Sequence, residues 1–173
     1  IPIKFNPGTS LNVSPRKSIA IAPASENAPI IVNVDPPDII VDINDVTTVV
    51  GFKKDLIMER FPEVNYVYNP FFDRTNTSKS LLQALKKHRG KSILWFNGDV
   101  VFDAKLLSLL LDDIEKNNSF ISVNTQSVAD EEVKYTLKNG FVEELSKEVK
   151  NGLGEAVGIN FISSNDLDVF INQ

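Results

Sequence analysis

The chain has 173 residues, 42% hydrophobic and 24% charged, with a formal net charge of −5; this is the profile of one globular domain. No apolar run approaches the roughly 20 residues needed to cross a bilayer, and a duplex-binding surface needs clustered Lys and Arg, so neither a membrane nor nucleic acid is expected as a partner. With no cysteine and one histidine, disulfides, zinc–thiolate sites, thiol nucleophiles and most Ser-His-Asp schemes lack their parts, which leaves carboxylate, lysine and hydroxyl chemistry in a protein expected to be cytoplasmic.

The first 45 residues are rich in Pro, Asn and Ser, with short apolar runs at 19–22, 30–34 and 39–43. Pro36-Pro37 forbids a continuous helix there. From residue 46 the pattern alternates. A β-branched run at 46–50 ends at Gly51, and 53–61 follows with a helical stripe of Leu56, Ile57, Arg60 and Phe61. The next strand is predicted at 64–68. A polar stretch at 69–78 leads into a helix over 79–88, with Leu81, Leu82, Ala84 and Leu85 as its buried face and Asn76, Thr77 or Ser78 as its cap. Gly90 ends it, behind the basic cluster Lys86, Lys87, His88 and Arg89 that a helix C-terminus favours.

The run at 93–96 is apolar on both faces, the mark of a central strand covered on both sides. Asp103 is placed to cap a core helix carrying Leu106, Leu107, Leu110, Leu111 and Ile114. After a strand at 120–123, the segments 133–137 and 141–145 flank Asn139-Gly140, a hairpin signal that makes the sheet mixed. A strand at 156–162 and a short helix capped by Ser163, Ser164 or Asn165 complete the pattern. A single domain over 1–173 is expected, with no linker long enough to divide it.

Two phosphate-loop motifs fail on inspection. Gly90-Lys91-Ser92 has Leu85 where a P-loop needs its first glycine and leads into a strand, and no G-x-G-x-x-G opens a βαβ unit. Asp99 is the most informative residue, because ligands of open α/β sheets gather at strand carboxyl ends and Mg²⁺ is held by one or two carboxylates plus phosphate oxygens. A plain turn aspartate in Asn-Gly-Asp is the alternative.

Several segments in order carry a resemblance: Val49-Val50-Gly51-Phe52-Lys53-Lys54-Asp55-Leu56-Ile57, Tyr66-Val67-Tyr68-Asn69-Pro70, Thr75-Asn76, Ser80-Leu81 with Ala84, Gly98-Asp99-Val100-Val101-Phe102-Asp103, and Gly154-Glu155-Ala156-Val157-Gly158-Ile159. Together, over 45–166, they resemble nucleotidyltransferases of the phosphocholine cytidylyltransferase type, relatives of the sugar-phosphate nucleotidyltransferases.

The resemblance implies a three-layer α/β/α sandwich with a mainly parallel, mixed central sheet. It also implies a Mg²⁺-dependent transfer of a nucleotidyl group, cytidylyl by preference, to a small phosphorylated or phosphonate acceptor with release of pyrophosphate. The implied partners are CTP or another nucleoside triphosphate and that acceptor, and homo-oligomerisation is left open. Asp99 would hold the metal and act in catalysis with Lys17; Gly8, Thr9, Asn69, Asn76 and Ser80 would contact the nucleotide; Lys147 and Glu155 would face the acceptor. Their plain readings are helix-start residues for Asn76 and Ser80, a surface lysine for Lys147 and a solvated strand end for Glu155. The N-terminal loop departs from the family pattern: Pro7 removes an N–H donor, Ser10 stands where an arginine is expected, and 1–45 is divergent. The family's C-terminal part, which supplies a second metal-binding carboxylate, is expected to be absent. A domain that binds a nucleotide or a protein partner without turnover is therefore the second expectation.

Overall fold

The computed structural model describes residues 29–33, 45–103, 105–125 and 131–173. Strand β1 is Pro29–Asn33, β2 is Val46–Val50 and helix α1 is Lys54–Arg60; β3 is Asn65–Tyr68 and α2 is Thr77–Leu85, continued by a 3-10 turn at Lys86–His88. Then come β4 at Ile93–Asn97, α3 at Lys105–Glu115, β5 at Phe120–Asn124, β6 at Lys134–Lys138, β7 at Phe141–Ser146, β8 at Glu155–Ile162 and α4 at Ser164–Ile171. Each element expected from residue 46 onward is present, its ends displaced by a residue or two. Of the early apolar runs, 30–34 corresponds to β1, and those at 19–22 and 39–43 lie outside the described residues.

Local chemistry sets these boundaries. The Asn76 side chain accepts from Lys79 N at 3.1 Å and caps α2, and Asp103 Oδ1 accepts from Lys105 N at 2.9 Å at the start of α3. Asn139 and Gly140 both take positive φ, 54° and 80°, and turn β6 back onto β7.

The eight strands of the described residues belong to one sheet, ordered β3-β2-β1-β4-β8-β6-β7, with β5 also paired to β8. Among the described residues only β2 and β3 pair in parallel. The other six pairings, β1 with β2 and β4, β8 with β4, β5 and β6, and β6 with β7, are antiparallel. This corrects the expected mainly parallel sheet, and with it the nucleotidyltransferase resemblance and the cytidylyltransferase-like and transferase assignments that stood on that fold. The physical reason is lateral order. The helix-linked strands β2, β3, β4 and β5 do point the same way, but β1 lies between β2 and β4, and β8 between β4 and β5, each running against its neighbours.

Helices cover both faces. On one, α2 and α4 pack Leu81, Ala84, Leu85, Leu167 and Ile171 against Val49, Val67, Ile93, Trp95 and Ile162. On the other, α3 sets Leu106, Leu110 and Ile114 against Leu94, Phe96, Phe120, Ile159 and Phe161. The alternation of Ile93 and Trp95 with Leu94 and Phe96 serves both cores from one strand, each such buried side chain contributing about 1.5–3 kcal/mol. Helix α1 buries none of its residues. No helix among the described residues is long and apolar enough to cross a membrane.

Candidate functional site

The directions of β2, β3, β4 and β5 bring their carboxyl ends to one edge of the sheet, together with the start of β8, where Glu155 lies opposite Asn124. A cleft of about 790 Å³ opens along this edge, within the size range of small-molecule and nucleotide pockets.

One wall is the segment between β3 and α2, organised by Asn69. This residue is 1% exposed. Its Nδ2 donates to Thr75 Oγ1 at 2.8 Å and Ser80 Oγ at 2.9 Å, while its Oδ1 accepts from Phe71 N at 3.0 Å. Backbone N–H of Asn69 donates to Val50 O at 2.9 Å, tying the segment to the end of β2. Phe72 packs on Gly51 so closely that a Cβ at Gly51 would lie 2.5 Å from Phe72 Cβ. The result places Asn76, Thr77 and Ser78 along the cleft, at the end of α2 where the helix dipole favours an anion.

The floor and the centre come from β4 and β8. Asn160 accepts from Trp95 Nε1 at 3.2 Å and donates to Ile159 O at 3.1 Å, with its amide oriented to satisfy both groups. Beyond β4, Val100 N donates to Asn97 O at 3.2 Å, closing a turn that holds Asp99 at the cleft. Asp99 is exposed, and no ion pair among the described residues involves it.

The opposite wall carries Glu132, Lys147 and Glu155. Glu155 Oε1 accepts from Asn124 Nδ2 at 3.0 Å, which fixes this carboxylate against the end of β5. Asp99, Glu132 and Glu155 give the described lining three carboxylates against the single ammonium of Lys147. A polyanion entering alone would meet net repulsion, and a divalent cation on the oxygen donors reverses that sign. Carboxylate oxygens are the donor type that a hard cation such as Mg²⁺ takes, and Asp99 and Glu155 both line the cleft. Among the described residues no group of three or more His, Cys, Asp or Glu is gathered closely enough to hold a metal by protein ligands only.

The structure therefore brings Asn69, Asn76, Ser80, Asp99, Lys147 and Glu155 to one cleft. Gly8, Thr9 and Lys17 lie outside the described residues. Asn69 is spent on internal hydrogen bonds and Asn76 on capping α2. No family model, curated protein or solved structure matches the chain. Sequence reasoning missed Phe72, Trp95, Asn160 and Glu132 as lining residues. For Asn160 a signal existed, a lone amide inside an otherwise apolar strand; the others read as ordinary core or surface positions.

Proposed function

We propose that the cleft binds a magnesium-bound nucleoside triphosphate, CTP being the first to try, beside a small phosphorylated or phosphonate acceptor. The reaction it would serve is nucleotidyl transfer. An acceptor oxygen forms a bond to the α-phosphorus, the bond from that phosphorus to the bridging oxygen breaks, and pyrophosphate leaves in line. The carrying observation is that Asp99, Lys147 and the first turn of α2 line one nucleotide-sized cleft. Cleft chemistry supports a metal-bound polyphosphate, while CTP and the acceptor class are the sequence expectation carried forward to the test.

In this proposal Asp99 holds the metal together with water and phosphate oxygens, and the metal supplies neutralisation of the triphosphate charge. Lys147 offers a counter-charge to the acceptor or to departing pyrophosphate, and the α2 turn receives a phosphoryl group. A cytoplasmic setting belongs to the same proposal, supported by the cysteine-free composition. A second reading, binding without transfer, is favoured by one contact: Glu155 Oε1 is engaged by Asn124, which leaves Asp99 and Glu132 as the exposed carboxylates of the described lining.

The test is calorimetric binding of four nucleoside triphosphates with Mg²⁺, followed by pyrophosphate release over a panel of phosphorylated acceptors. Wild type is expected to bind at least one triphosphate in a Mg²⁺-dependent way, and Asp99→Ala to lose about tenfold or more of that affinity without a change in melting temperature. Binding with no pyrophosphate release across the panel selects the second reading. If no triphosphate binds, or if Asp99→Ala binds as wild type does, both are wrong.

A further inference from the structure

Asn69 does not meet a ligand, because its amide is fully used inside the protein: both N–H bonds go to Thr75 Oγ1 and Ser80 Oγ, the oxygen accepts from Phe71 N, and the residue is 1% exposed. Its two hydroxyl partners differ. Thr75 Oγ1 donates its own hydrogen bond to Phe71 O at 2.8 Å. Ser80 Oγ accepts from Asn69 at 2.9 Å and donates to no group among the described residues, and it lines the cleft. A hydroxyl has one proton and two lone pairs. With one lone pair claimed by an amide that can only donate at that position, the Ser80 proton must turn away from Asn69.

We infer that Asn69 is a positioning residue that fixes Ser80 as a hydrogen-bond donor into the cleft, aimed at an anionic phosphoryl oxygen of the ligand. The inference rests on the reading of the cleft as a phosphate-binding site. A side chain accepting from Ser80 in place of Asn69 would reverse the polarity and present a lone pair to the phosphate. Asn69 thus sets the sign of the interaction although it is buried. The first turn of α2, with Thr77 and Ser78 along the same wall, favours an anionic partner over a neutral one.

The experiment measures dissociation constants of wild type, Ser80→Ala, Ser80→Thr, Asn69→Ala and the Asn69→Ala/Ser80→Ala double variant for three probes: Mg·CTP, Mg·tripolyphosphate and cytidine. Ser80→Ala is expected to weaken Mg·CTP and Mg·tripolyphosphate by about tenfold and leave cytidine unchanged, and Ser80→Thr, which keeps the hydroxyl, to retain most of the affinity. Asn69→Ala is expected to weaken the same two probes in the wild-type background and to add little in the Ser80→Ala background. A merely structural loss would instead lower affinity in both. If Asn69→Ala does not fold, the Ser80 variants decide: unchanged phosphate affinity in Ser80→Ala, or a loss confined to cytidine, overturns the inference. Additive losses in the double variant overturn the role of Asn69 while leaving the donor role of Ser80. Failure of wild type to bind either phosphate probe overturns the underlying reading of the cleft, and this inference with it.

Discussion

Gly158 in β8 faces the Asn97 side chain at the end of β4, and a Cβ at Gly158 would sit 2.7 Å from Asn97 Nδ2 and 3.0 Å from Asn97 Cβ. Gly158 also holds φ at +74°, a conformation that costs other residues roughly 1–2 kcal/mol. Asn97 begins the turn that carries Asp99. The Asn97 side chain thus fills the space that a side chain at Gly158 would need, directly before the turn that carries Asp99. Gly158→Ala is expected to cost about 2 kcal/mol or more, a fall of about 4–8 °C in melting temperature, and to weaken Mg²⁺-dependent ligand binding through displacement of Asp99. Thermal denaturation with calorimetry checks both, and a variant as stable as wild type would remove Gly158 from this role.

At the opposite edge of the sheet, Asp166 is expected to matter for stability alone. Its Oδ2 accepts from Ser163 Oγ at 3.0 Å and also from Ser119 Oγ, which in turn accepts from Ser163 N at 3.0 Å. Ser119 and Ser163 are both buried. Asp166→Ala leaves two buried hydroxyls short of an acceptor, a loss of about 2–3 kcal/mol read as a lower urea midpoint. Mg·CTP affinity is expected to stay constant, and a matching loss of affinity would mean that this cluster reaches the cleft.

His88 gives the fold a pH dependence of definite sign. Burial lowers its pKa below the ordinary 6.5, opposed by Asp45 and reinforced by Lys91 and Lys87. The folded state therefore disfavours the proton that the unfolded chain accepts. The associated stability is present above pH 6.5 and is lost as pH falls through the lowered folded value. Melting temperature is expected to drop from about pH 7.5 to about pH 5.5 in wild type and to drop less in His88→Gln. Parallel curves for the two proteins would show that another group controls this range.

The cleft was legible in the sequence only in part. Asp99 stood out because a buried strand runs into Asn97-Gly98-Asp99, and the structure does set it in the lining of the cleft. Asn69 and Asn76 were nucleotide contacts only by the resemblance, and each works on the protein's own backbone or side chains, Asn76 as the helix cap that its position also suggested. A polar residue before a helix looks alike in sequence whether it caps the helix or binds a ligand. The difference lies in which atoms it meets across the fold.

Residue pattern by itself determined the local elements. Short β-branched and apolar runs placed β2, β3, β4, β5 and β8, helical stripes placed α2 and α3, Asn139-Gly140 placed the β6–β7 hairpin, and the polar residues at 76–78 and Asp103 placed helix starts, because each depends on dihedral preferences and hydrogen bonds within a few residues. Only the tertiary structure decided which strands became neighbours. The alternation of strands and helices specifies that β2, β3, β4 and β5 run the same way, but not that β1 and β8 lie between them and make the pairings antiparallel. Strand pairing joins residues far apart in the chain, such as Trp95 with Asn160, and no short stretch of sequence records the partner it will meet.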